Sequence, residues 1–214
     1  MPSTINATLT NGVAIQGDNS GALALQTNNG TTAVTINTSQ GVQCLNSISV
    51  GNATPTTSGA GITFPATQSA STDANTLDDY EEGTYTVTLT PNGGSMTMDA
   101  NRQTFQYIKI GKLVIVQGYT RASSVSSPTG VVRFNLPFTS TAGTQFSGYS
   151  YNVAVGENLA SGVSNGFNCD VSPSSSVSYI YYTAGGASAA NWLAVGEKFQ
   201  SNTNITVTLM YQAA

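Results

Sequence analysis

No histidine occurs anywhere in the 214 residues, and that absence removes a large part of enzyme chemistry. Without an imidazole, no Ser–His or Cys–His pair can activate a nucleophile, and the commonest nitrogen ligand of zinc is missing. Charge is nearly as scarce. Six Lys and Arg with ten Asp and Glu make 7% of the chain and a net charge of −4, against roughly 25% charged residues in an ordinary domain. The basic residues stand at 102, 109, 112, 121, 133 and 198 and form no stripe that could neutralise phosphates, so nucleic acid is not an expected partner. No run of 18 apolar residues exists, and MPSTINATLTNG at the N-terminus has neither a basic nor an apolar signal region. Neither membrane insertion nor secretion by a signal peptide is therefore expected. Cys44 and Cys169 lie 125 positions apart and read as small buried hydrophobes in a reducing compartment, not as a disulfide framework.

Ser, Thr, Asn and Gly fill the space left by charge, together with Val and Ile, a mixture that favours strands over disorder. Up to residue 72 the sole charged side chain is Asp18, and Gly12, Gly21, Gly30, Gly41 and Gly51 recur at spacings of 9, 9, 11 and 10. Between them Val13/Ile15, Leu23/Leu25, Val34/Ile36 and Ile48/Val50 alternate with polar residues, so each repeat is one short strand and one turn. Two aliphatic side chains are worth about 3–6 kcal/mol on burial, while ordering each backbone residue costs about 1–2 kcal/mol. A single repeat column cannot pay for itself, and three chains around one axis would bury every face and close every edge. Residues 1–51 are therefore expected to form a repetitive, trimeric β-shaft used for attachment.

Residues 52–75 lose the periodicity and gain Pro55 and Pro65, as an extended linker would. From Gly83 the strands lengthen: GTYTVTLTP, SMTMD, QTFQYIKIG, KLVIVQGYT, GVVRFNLP, FSGYSYNVAV, SVSYIYYT and ITVTLMYQ. Turns are expected at PNGG and IGK, and no helix is. Residues 76–214 thus read as an antiparallel β-sandwich or jelly roll, and the fold class as all-β. The predicted core is Tyr85, Val87, Leu89, Phe105, Tyr107, Ile115, Val132, Phe134, Leu136, Val207 and Leu209.

The motif series TLDDYEEGTYTVTL, YIKIGKLVIVQG and LPF at 136–138 resembles the globular domain of tailed-bacteriophage fibre and virion structural proteins, over about residues 73–140. The resemblance implies a virion component on the tail or, alternatively, on the head surface, made in the host cytoplasm. It implies a homotrimer that contacts other virion proteins of the tail or baseplate, or the capsid, and it does not imply an enzyme. The reading that follows is a non-enzymatic tail-fibre-type protein exposing its C-terminal domain to host-surface carbohydrate. A capsid decoration, cement or head-fibre protein is the alternative, and a small polysaccharide-degrading enzyme a third.

Three local features bear on chemistry. Asp78, Asp79, Glu81 and Glu82 crowd five positions but lack the alternating spacing of a calcium loop, so they read as a solvated cap at the joint before the domain, with no metal. On that reading, replacing all four by amides leaves stability unchanged or slightly raised. GVSNG at 162–166 places Ser164 in a nucleophile-elbow pattern, which is chance in a chain without histidine. Asp99, Glu157, Asp170 and Glu197 are the residue type that glycoside hydrolysis needs, yet nothing in the sequence pairs them. No cofactor is expected. Tyr149, Tyr151, Tyr181, Tyr182 and Trp192 are candidate surface contacts for a glycan, since flat aromatic faces stack on sugars; in SYIYY, Tyr179 and Tyr181 share one face and Ile180 and Tyr182 the other.

Overall fold

The computed structural model describes residues 23–27, 30–39, 41–55, 58–143, 153–155, 158–160, 167–183 and 192–214, the backbone alone at 27, 31, 153–155, 182, 183 and 192–194. Every regular element among them is a strand, apart from single 3-10 turns at Ala100–Arg102 and Gly196–Lys198. The strands are β1 (Leu23–Thr27), β2 (Thr31–Ile36), β3 (Val42–Cys44), β4 (Ser47–Ser49), β5 (Gly61–Thr63), β6 (Tyr80–Thr86) and β7 (Leu89–Met98). They continue with β8 (Thr104–Ile110), β9 (Leu113–Asn135), β10 (Val153–Val155), β11 (Phe167–Asp170), β12 (Val177–Thr183), β13 (Trp192–Ala194) and β14 (Thr203–Gln212). The fold is all-β, and contacts divide the chain into two compact units, 1–68 and 69–214.

In the first unit β1, β2 and β3 form an antiparallel sheet. Its register aligns Leu23 with Ile36 and Leu25 with Val34, then Ile36 with Val42 and Val34 with Cys44. The repeat pattern thereby becomes two apolar rows, Leu23–Ile36–Val42 and Leu25–Val34–Cys44, and because side chains alternate along a strand both rows share one face. The β2–β3 turn is held by Asn37, whose side-chain oxygen accepts from the backbone N–H of Ser39 at 3.0 Å and of Gly41 at 2.8 Å. Residues 61–63, inside the span expected to be a linker, instead run parallel to β4, with Ile48 opposite Ile62.

No described residue of the first unit is buried. Leu25 remains 48% and Val42 66% exposed, and Leu45, Ile48, Val50 and Ile62 are open as well. Among its described residues this unit has apolar faces and no buried side chain.

The second unit is organised by β9, a strand of 23 residues. Its first half pairs with β8 on one edge and β14 on the other; its second half pairs with β7 and β12. From β14 the antiparallel ladder continues through β10, β11 and β12 and returns to β9 at Val132–Asn135. A strand that serves both ends of the ladder lets the sandwich close around its core. Phe105, Phe134, Phe167, Ile180, Ile205 and Leu209 are fully buried there, with Val114, Val116 and Val132. Tilted and edge-on aromatic contacts, Phe105–Phe134 at 6.3 Å and Tyr85–Phe105 at 6.0 Å, fill its centre.

Several expectations require correction. GTYTVTLTP is not one strand: the chain breaks at Val87–Thr88, where the Asn135 side chain accepts from Thr88 N–H at 2.7 Å and donates to the Thr86 carbonyl at 2.9 Å. Alternation could not show this, because Tyr85, Val87 and Leu89 keep a single inward phase across the break. PNGG is not a turn but an irregular stretch of β7, with Pro91 opposite Val132 and Gly93 opposite Thr129. Gly94 there has φ +74°, and a Cβ would come within 2.2 Å of the Ser127 carbonyl oxygen, so glycine is required at this bulge. The serines at 123–127 continue β9 opposite β7, with Val125 facing Met96 and Ser126 facing Ser95. IGK does turn, placing Ile110 opposite Leu113.

Of the predicted core, Val87, Leu89, Phe105, Val132, Phe134, Leu136, Val207 and Leu209 are buried, while Tyr85 and Tyr107 are partly buried against them. Ile115 is not in the core. Leu113–Val116 is apolar at four successive positions, so either phase was open, and the structure turns Val114 and Val116 inward.

Candidate functional site

Two places concentrate side-chain chemistry in the second unit. The first is the acidic stretch, where Asp79, just before β6, is buried and Glu81 is partly buried, while Tyr80 and Glu82 are exposed. The register sets Glu81 beside Lys109 and Gly83 beside Tyr107. Asp79 is 5% and Lys109 6% exposed, and the two form a buried ion pair. The Lys109 Nζ also lies 5.6 Å from the centre of the Phe138 ring, which meets Tyr107 edge-on at 5.1 Å. Tyr107 donates its hydroxyl hydrogen bond to Glu81 Oε1. Its ring passes across Gly83, where a Cβ would stand 2.8 Å from the Tyr107 hydroxyl oxygen, so only glycine lets the ring reach Glu81.

The other two carboxylates have separate partners. Asp78 Oδ2 accepts from the backbone N–H of Ser71 at 2.8 Å, and Glu82 Oε2 accepts from the Tyr80 hydroxyl at 3.0 Å. The four acids thus diverge, and among the described residues no three potential ligands converge on a metal position. The cluster lies within the second unit at the start of β6, and the reading as a fully solvated cap fails at Asp79. Charge there is buried because Lys109, thirty positions away, satisfies it. Asp79, Glu81, Tyr107, Lys109 and Phe138 meet in one knot. Their evident role is holding the domain's first strand.

The knot sets a pH response. The hydrogen bond to Glu81, followed by burial, pushes the Tyr107 hydroxyl up to about 12 from its ordinary value near 10. Burial likewise raises Tyr211 to about 12 and raises Tyr85. Above pH 10 the unfolded chain releases phenolic protons that the folded chain retains, so stability is full below about pH 10 and falls as pH rises toward 12. With no imidazole to titrate, melting temperatures should change little between pH 6 and 9 and drop steeply above 10. Thermal unfolding across that range checks this, and Tyr107→Phe should flatten part of the drop.

The second place is the outward face of β11 and β12. Phe167, Cys169 and Ile180 point into the core, which turns Asn168, Asp170, Tyr179 and Tyr181 outward, all partly exposed. Cross-strand register aligns Asp170 with Tyr179 and Asn168 with Tyr181, and places Arg133 of β9 on the other side of Tyr179. The Tyr179 and Tyr181 rings lie 6.4 Å apart at 27°. Burial raises the Asp170 carboxyl above its ordinary value, and burial with the nearby Asp170 charge raises the Tyr181 hydroxyl. Two phenolic rings flanked by a carboxylate, an amide and a guanidinium can stack on a sugar and hydrogen-bond its hydroxyls.

Of the sequence-derived contacts, Tyr181 is on this face. Tyr149 and Tyr151 lie outside the described residues, as do the side chains of Tyr182 and Trp192, whose backbones pair with Phe167 and Leu193 and with Thr183. Asn168, Asp170 and Arg133 were not anticipated as companions of Tyr181; the period-2 signal for Asn168 and Asp170 was present in FNCD, but the pairing of β12 with β9 was not. Ser164 and Glu157 also lie outside the described residues. Asp99 caps the 3-10 turn before β8, accepting from Asn101 N–H at 3.1 Å, and Glu197 sits in the separate turn before β14.

No family model matches this chain, and no curated protein matches it. Among solved structures it is similar to the Dettilon tailspike protein, with 18% identity and a TM-score of 0.45 over 62% of this chain. The match spans 23% of the length of that tailspike chain.

Proposed function

We propose that this protein is a non-enzymatic bacteriophage virion component of tail-fibre type. It assembles as a homotrimer, attaches to other virion proteins through its N-terminal region, and presents the second unit to carbohydrate on the host surface. The observation that carries this reading is the first unit: two aligned apolar rows on a sheet with no buried side chain among the described residues. Such a sheet becomes stable when its apolar face is covered, and identical chains supply identical faces. The second unit has its own core and an outward aromatic face, as suits an exposed module. Three copies would present three weak sugar platforms together, and multivalent engagement raises avidity without new contacts. The motif resemblance over residues 73–140 supports the virion assignment.

Imaging of virions with antibody against residues 76–214 tests the location. Label on the tail accords with adsorption, whereas label over the capsid would replace the fibre reading by a decoration or head-fibre role. Replacing Tyr179 and Tyr181 together by alanine should reduce binding to host cells or to purified surface glycan at least about tenfold, since each stacking ring is worth roughly 1 kcal/mol or more. Binding unchanged in that variant would remove the platform from the account.

A further inference from the structure

On the outward face that carries Tyr179 and Tyr181, one row runs Thr90, Arg133, Tyr179 and Asp170 across β7, β9, β12 and β11. Arg133, Tyr179 and Asp170 are each partly exposed, and their chain neighbours Val132, Phe134, Ile180 and Cys169 are buried, which fixes the outward direction of the row. Neighbouring strands stand about 4.8 Å apart, so Arg133 and Asp170 flank Tyr179 at a separation of about 10 Å. The two ends of the row differ. Among the described residues Arg133 makes no hydrogen bond or ion pair through its side chain, whereas Lys109 is matched by Asp79 and Arg102 by Asp99. In a chain with six basic residues, one planar fork of N–H donors is thus left beside a tyrosine pair, with the geometry that grips carboxylate or phosphate oxygens. Asp170 has the converse character. Burial raises its carboxyl and disfavours the ionised form, so it suits a hydroxyl better than a cation.

We infer that the sugar taken by this face is acidic: a pyranose residue lies on Tyr179 and Tyr181, with a carboxylate or phosphate substituent in the Arg133 fork and a ring hydroxyl on Asp170. This deepens the carbohydrate reading above and rests on it. The span accords with one residue, since about 10 Å less a hydrogen bond of about 3 Å at each end leaves roughly the breadth of a sugar ring. The two phenolic rings, 6.4 Å apart and 27° from parallel, form the floor, and Asn168 opposite Tyr181 adds an amide at its edge. A neutral sugar would offer the guanidinium hydroxyls alone, whereas an anionic one gives it charge-assisted, bidentate hydrogen bonds. An amino sugar would set its ammonium against Arg133 or against a carboxyl whose charge is already disfavoured.

The test uses the full-length protein and purified host-surface glycan in three forms: untreated, with carboxyl groups reduced to alcohols, and with phosphate esters removed. The wild type should bind the untreated glycan and lose at least about tenfold on one of the two treatments, the scale of a hydrogen bond to an ion. The treatment that matters names the anion. Arg133→Gln should lose a similar factor on untreated glycan and nothing further on the treated one. Raising salt from about 0.1 M to 1 M shortens the screening length from about 10 Å to 3 Å and should weaken the wild type far more than this variant. Because Arg133 is partly exposed and unpaired, the variant should melt as the wild type does. Equal binding to all three forms, with Arg133→Gln unaffected and the Tyr179→Ala, Tyr181→Ala double variant still weakened, would overturn the acidic assignment and leave the carbohydrate platform standing. No binding to any form, or a tyrosine double variant that binds as the wild type does, would overturn both.

Discussion

Lys109→Met should lower the stability of the second unit by about 3–5 kcal/mol, because it leaves the Asp79 carboxylate buried without a counter-charge. In a unit this size that corresponds to a fall in melting temperature on the order of 10 °C. Asp79→Asn should act in the same direction by stranding the ammonium. The double variant Asp79→Leu with Lys109→Met should recover most of the loss, since a well-packed apolar pair beside Phe138 avoids the cost of desolvating two ions. By contrast, Asp78→Asn and Glu82→Gln should each change stability by less than about 1 kcal/mol, because exposed interactions of this kind are weak. Thermal unfolding of the five variants checks the contrast. Equal effects at 79 and 82 would show that the buried pair does not hold the first strand.

The second large effect concerns the halves. Residues 69–214 expressed alone should give a cooperative β-type unfolding transition, since the closed ladder around Phe105, Phe134 and Phe167 has a buried core of its own. Residues 1–68 at micromolar concentration should be largely unfolded, because a three-stranded sheet with no buried side chain among its described residues cannot offset the entropy of ordering its backbone. Circular dichroism of the two fragments decides this. A folded, monomeric N-terminal fragment would mean that the sheet is stable with its face uncovered, and the physical case for assembly would lapse.

Much of this architecture was legible in the chain. The repeat Leu23/Leu25 and Val34/Ile36 gave the correct face, because two-residue periodicity is a direct image of strand geometry. Of the eleven positions that the same periodicity predicted for the core of the second unit, eight are buried. Where it failed, the deciding contact came from far along the chain. Nothing near Val87 announces that Asn135 will stop one strand and start the next, and nothing near Ile115 chooses between two phases of an apolar run. The acidic stretch is the same lesson in electrostatics. Its four carboxylates look alike in sequence, and only the opposite strand, bringing Lys109 and Tyr107, separates a buried partner from its solvated neighbours. Tyr181 could be named as a surface aromatic, whereas Arg133, beside its neighbour Tyr179, depended on β12 pairing with the far half of β9.

The central claim is that the apolar faces exist to meet other copies of this chain. Sedimentation of the full-length protein at micromolar concentration measures it most directly. The account predicts one species at three times the 22.0 kDa chain mass, with dissociation hastened by charged substitution at Val34 or Val42 in the open rows. A well-folded species at a single chain mass, unchanged by those substitutions, would contradict it.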